Sequence, residues 1–114
     1  MELIREHYGA CGLEKEVIRL IERLPTRMCL ELGKSEEFWR KELEDPTSKI
    51  NELNLLEGAI KFAANKAKDL SEKTGRGVCE YLEDSIERGW IENFIIDYVK
   101  VMLRGHYRRR DRTC

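Results

Sequence analysis

The sequence predicts an all-α protein, a single-domain bundle of five or six helices around a C-terminal hydrophobic helix. Apolar residues recur three and four apart through most of the chain. No segment shows the alternation or the β-branched enrichment of a strand, and glycine and proline interrupt the chain at helical lengths. With 114 residues, one domain with a real core is expected. It comprises residues 1–105, followed by a basic tail at 106–114.

The organising stretch is Trp90 to Arg104. At about 100° per residue, its apolar side chains cover more than half the circumference. Only a ridge of Asn93, Asp97, Lys100 and Arg104 is polar, with Glu92 off it in the first turn. A helix this apolar needs other helices, or another subunit, to cover it.

From the N-terminus, residues 2–8 supply one or two helical turns with Leu3, Ile4 and Tyr8 on one side, and Gly9 and Gly12 then break the chain. Leu13 to Leu24 reads as an amphipathic helix with Val17, Leu20 and Ile21 on its apolar stripe, ended or kinked at Pro25. Thr26 is placed to cap a short continuation, Arg27 to Leu32, closed by Gly33. Ser35 caps the next helix, whose first turn carries Glu36 and Glu37 against the positive helix end. Phe38, Trp39 and Leu43 form its inward face, and Glu44-Asp45-Pro46 stops it.

Residues 47–74 read as one long helix. Leu53, Leu56, Ile60, Ala63, Ala67 and Leu70 form a heptad-like seam, thinned at its centre by the two alanines, where a neighbouring helix can approach closely. Leu55 and Phe62 lie off the seam and imply a second contact. Gly58 weakens the helix by roughly 1 kcal/mol relative to Ala. Gly75-Arg76-Gly77 is the clearest turn. Val78 to Arg88 follows, with Val78, Leu82, Ser85 and Ile86 inward and Glu80, Glu83, Asp84 and Glu87 outward. Gly89 separates it from the hydrophobic helix, which Gly105 closes.

Charge is abundant but nearly balanced: 38% of residues are charged, for a net charge of −1. Its distribution is uneven. Residues 104–114 hold five Arg and one Asp, a net of +4, which leaves −5 on residues 1–103. Many Lys, Glu and Arg with no glutamine at all is the composition of proteins that work hot, so a thermophilic source is expected. The N-terminus is charged from its second residue, unlike a cleavable signal, and the 15-residue apolar run, interrupted by Asp97 and Lys100, is too short to span a bilayer. A cytoplasmic protein without membrane contact is expected.

Several side-chain groups invite a chemical reading. Arg104, Tyr107, Arg108, Arg109, Arg110 and Arg112 could bind nucleic acid, the ring stacking on a base while guanidinium groups take phosphates. The simpler reading is cations offsetting the negative end of the preceding helix. The acidic face at Glu80, Glu83, Asp84 and Glu87 could hold a hard cation, but no second carboxylate pair follows at suitable spacing, and a solvated face is the better account. Cys11 lies four residues after His7, and a thiolate activated by imidazole is how Cys–His nucleophiles work. Gly9 argues against the continuous helix this needs.

Cys11, Cys29, Cys79 and Cys114 share no C-x-x-C spacing, which disfavours zinc. Cys29 and Cys79 read as small core side chains and Cys114 as a terminal free thiol, although a disulfide is not excluded in hot-living cells. No metal, cofactor or catalytic residue is assigned, and enzymatic activity is not expected. The function expected is non-enzymatic protein association, as a homo-oligomer or within a larger complex, through Leu53, Leu56, Ile60, Ala63, Ala67 and Leu70. The alternative is a nucleic-acid-binding accessory protein using the Arg-rich tail.

Overall fold

The hydrophobic C-terminal helix and the long alanine-bearing helix lie together at the centre of the fold, and the remaining helices are laid over them. The computed structural model describes residues 2–107 and 114. Its helices are α1 (Glu2–Tyr8), α2 (Glu14–Glu22), α3 (Leu24–Leu32), α4 (Glu36–Glu44), α5 (Lys49–Glu52), α6 (Leu55–Thr74), α7 (Val78–Glu87) and α8 (Trp90–Met102). A 3₁₀ turn, Gly9–Cys11, follows α1. No strand occurs among the described residues. α6 packs on α7, α8 and α1; α3 packs on α4 and α8. The body measures 46 × 24 × 23 Å, and no helix among the described residues is long and apolar enough to cross a membrane.

The core follows the expected periodicity. Val17, Leu20 and Leu24 come in from the α2–α3 corner, Met28 and Cys29 from α3, and Trp39 from α4. Ile60, Ala63 and Ala67 come from α6, and Ile91, Ile95, Ile96 and Val99 from α8. Both alanines are fully buried, on the helix that packs against α7 and α8. Ser35 caps α4 as expected, its hydroxyl accepting from the Phe38 amide at 3.0 Å. Trp39, fully buried, donates its indole N–H to the Gly33 carbonyl at 2.9 Å, so its polar atom is satisfied inside the core.

The structure corrects several expectations about the helices. The helix expected over 47–74 is two helices, because Asn54 takes a left-handed conformation (φ 53°) between α5 and α6. The short α5 is held by its own polar contacts rather than by length. Ser48 caps it, and the Asn51 amide donates to the carbonyls of Glu42, Leu43 and Asp45 at the end of α4. Thr26 caps nothing; it lies in the first turn of α3, which begins at Leu24 with Pro25 where its missing N–H costs no bond. Val78 is surface rather than core, at 38% exposure.

All four cysteines are paired. Cys11 bonds Cys79, joining the turn after α1 to the start of α7, and Cys29 bonds Cys114, tying α3 to the last residue. Cys29 is in the core as expected but is disulfide-bonded, Cys79 is exposed rather than core, and Cys114 is not a free thiol. Four cysteines allow three pairings, and sequence spacing does not choose among them.

Candidate interaction surface

α8 presents two apolar faces, and the fold uses one. Ile91, Ile95, Ile96 and Val99 are buried against α3, α6 and α7. Trp90, Phe94 and Tyr98, spaced four apart, lie on another face and stay only partly covered. Val101 and Met102 extend it with 70% and 64% exposure. From α6, Phe62 (44% exposed) leans toward this face, its ring centroid 5.2 Å from that of Phe94. Between the two helices runs a groove of about 490 Å³ lined by these side chains together with Lys66, Asn93 and Asp97.

The groove has defined edges. The Lys66 ammonium lies 4.3 Å above the Trp90 ring, where the ring's electron density attracts a cation. Gly58 faces the Phe94 ring from α6; a β-carbon there would stand 3.6 Å from it, so the ring lies close against the helix backbone. Asp97 is exposed and has no ion-pair partner among the described residues. The groove thus carries one cation, one carboxylate and the Asn93 amide beside a largely apolar floor.

The seam expected to meet a partner is placed differently. Ile60, Ala63 and Ala67 have no accessible surface, so in this fold they cannot form an interface. Leu56 and Leu70 are half-buried, and Leu53 lies before the Asn54 break with 39% exposure. The middle of the seam is thus covered by the chain's own fold, in which α6 packs on α7, α8 and α1. Phe62, off the seam and read as a second contact, points to the surface that remains.

The polar ridge of α8 is partly engaged with α3. Arg27 donates to the Asn93 side-chain oxygen at 3.2 Å, and Lys100 approaches Glu31 at 3.5 Å. Arg104 is exposed. Tyr107, expected as a stacking platform, is instead buried against Trp39 and Phe38, with ring centroids at 5.1 and 6.1 Å. Its hydroxyl donates to Glu42 at 2.6 Å. Burial, and then the Glu42 carboxylate, raise its pKa above the ordinary tyrosine value, opposed in part by the first amides of α5. Arg108, Arg109, Arg110 and Arg112 lie outside the described residues.

On α7, Glu83 and Glu87 are exposed, and Glu80 pairs with Arg76 at 2.9 Å. Among the described residues no three His, Cys, Asp or Glu converge on a metal position. Cys11 is held in its disulfide and supplies no thiolate beside His7. The chain matches no protein-family model, no curated protein and no solved structure.

Proposed function

We propose that this protein works by association, pairing with a second copy of itself through the α6–α8 groove. What supports the reading is the contiguous apolar surface left once the fold is complete, from Phe62 across Phe94 to Val101 and Met102. Scattered exposed apolar residues are ordinary; a rimmed groove of aromatic and aliphatic side chains has the character of a binding surface. The choice of a second copy follows from the charges. In a two-fold contact each residue meets its counterpart reciprocally, so Lys66 of one copy can face Asp97 of the other, twice over. The nucleic-acid alternative is weaker, since Tyr107 is occupied in the core and offers no ring to a base.

Sedimentation of the full chain at micromolar concentration tests the reading. A dimer is expected for the wild type and a monomer for Val101→Glu with Met102→Glu, both exposed positions whose replacement leaves the core intact. Lys66→Glu and Asp97→Lys should each weaken pairing by about tenfold, roughly one 1.4 kcal/mol step, and the double exchange should recover it. A wild-type monomer at every concentration, or a double exchange no better than the singles, overturns it.

A further inference from the structure

The two disulfides stand in unlike surroundings. Cys29 is a core residue at 1% exposure, so a thiolate attacking Cys114 would leave a charge on sulfur inside the apolar core, where it is costly. Cys11–Cys79 lies nearer the surface. Cys79 is exposed, within a run from 72 to 80 that is exposed throughout, and Cys11 is half-buried. A glycine close to each cysteine leaves open space beside the bond: a β-carbon at Gly12 or Gly77 would meet nothing within 4 Å. Access decides which disulfide sulfur an incoming thiolate attacks, and here it selects Cys79.

Cys79 also occupies a position that suits negative charge. It is the second residue of α7, a helix of 10 residues whose cap, Gly77, has no side chain to accept from the first amides. Those N–H groups and the aligned peptide dipoles favour an anion at that end.

A reversible couple differs from a simple staple in what keeps the two cysteines together once their bond opens. Two features of the fold do so. The Tyr8 hydroxyl lies 2.7 Å from that of Ser85, joining the residue before the Gly9–Cys11 turn to α7. Ser85 donates to the Leu82 carbonyl at 2.6 Å, so Tyr8 is the donor of the pair. The turn that carries Cys11 is closed by its own backbone, the Gly12 amide donating to Gly9 and the Leu13 amide to Tyr8, at 3.0 and 3.1 Å. None of these bonds involves a cysteine. Both thiols therefore stay on segments already held against each other, and re-forming the bond is an intramolecular step at high effective concentration.

We propose that Cys11–Cys79 is a reversible redox couple, opened by a small thiol at Cys79 and closed again by Cys11, with the Tyr8–Ser85 bond keeping the two within reach. Cys29–Cys114 stays closed under the same conditions. A thiolate RS⁻ attacks the Cys79 sulfur and bonds to it as the Cys11–Cys79 bond breaks. The electron pair of the broken bond goes to the Cys11 sulfur, which takes a proton from water. A second thiolate attacks the added sulfur, RSSR departs, and Cys79 is left as the thiolate. Two thiols are oxidised and one protein disulfide is reduced. Closing runs the same steps backwards, with Cys11 attacking the mixed disulfide at Cys79. The couple is separate from the α6–α8 groove and stands or falls independently of self-association.

The test places the oxidised full chain in glutathione buffers of stepped thiol-to-disulfide ratio. Free thiols are blocked with N-ethylmaleimide and located by mass spectrometry of unreduced peptides. Cys11 and Cys79 should be blocked together at ratios that leave Cys29 and Cys114 paired, with the helical circular dichroism unchanged. Early trapping should find glutathione on Cys79 at least about tenfold more often than on Cys11. Returning the opened chain to glutathione disulfide should restore the Cys11–Cys79 pairing and no other. Tyr8→Phe, which leaves Ser85 its bond to Leu82, should need a few-fold higher disulfide-to-thiol ratio to close. Free Cys11 and Cys79 in the air-oxidised chain, both disulfides opening together, Cys29–Cys114 opening first, or helical signal lost on opening overturns the proposal. So does glutathione collecting on Cys11, scrambled pairing on closure, or a Tyr8→Phe variant that closes at the wild-type ratio.

Discussion

Two tyrosine hydroxyls show how single residues couple this fold to its surroundings. Burial raises the pKa of Tyr8, partly opposed by its bond to Ser85, and burial together with Glu42 raises that of Tyr107. An acid whose folded pKa lies above its unfolded one keeps its proton longer in the native state. Its contribution is whole below about pH 10, the unfolded tyrosine value, and is lost as pH rises beyond that. Each of the two can remove up to about 1.4 kcal/mol per pH unit there. Urea titrations from neutral pH to pH 11 should therefore show a steep alkaline loss of stability. Tyr107→Phe should flatten the slope and cost about 1 kcal/mol at neutral pH, since the half-buried Glu42 can recover water in place of the lost bond. An unchanged alkaline slope would remove Tyr107 from this role. None of this was legible in the sequence, where Tyr107 stands among arginines and looks like part of a tail. What buries it is the aromatic pair Phe38 and Trp39, some 70 residues earlier, and a contact of that range leaves no local pattern.

At the scale of the element, sequence signals succeeded where local chemistry decides and failed where tertiary contacts do. Ser35, Gly33, Gly75 and Gly89 mark real helix ends, because capping and positive φ are properties of a few adjacent residues. The break at Asn54 went unread, since a leucine-rich seam runs straight across it and the polar contacts of Asn51 and Ser48 that stabilise the short α5 reach back to α4. Gly58, expected to weaken its helix, sits inside α6 near its start and faces Phe94. A β-carbon there would meet the ring at 3.6 Å and 3.8 Å, ordinary contact distances, and the backbone is helical. Gly58→Ala should therefore raise stability by about 0.5–1 kcal/mol, by removing flexibility from the unfolded chain and adding a contact to the groove floor. Chemical denaturation measures the change. Destabilisation would mean that Phe94 needs more room than the backbone geometry indicates.

The whole molecule is a bundle whose two ends are tied to its middle by bonds the helical pattern does not announce. The helices, their inward faces and the central place of α8 follow from periodicity, because burying a stripe every 3.6 residues is the only way such a sequence hides its apolar side chains. The pairing of cysteines 68 and 85 residues apart does not follow from it. Both bonds close most of the chain into loops. On the chain-entropy account, a loop of that length removes about 4–5 kcal/mol of unfolded-state freedom, and native bonds of this kind typically contribute about 2–5 kcal/mol. Cys11–Cys79 fastens α7 to the turn after α1, and the Tyr8–Ser85 hydrogen bond joins α1 to the same helix. Cys29–Cys114 fastens residue 114 to α3, and Tyr107 is anchored separately on α4 through Glu42. Cys11→Ser with Cys79→Ser should lower stability by about 2–5 kcal/mol, or roughly 8–20 °C in melting temperature for a domain of this size. The helical content at room temperature should stay intact, because the apolar core does not depend on the bond. Cys29→Ser with Cys114→Ser should lower stability as well, and should also expose Tyr107, read as a red-shifted and more quenchable emission of its neighbour Trp39. Calorimetry of the two variants, with and without reductant, separates the contributions. If reductant leaves the wild-type melting temperature unchanged, the bonds do not form in the protein, and Tyr107 is held in place by Phe38, Trp39 and Glu42 without them.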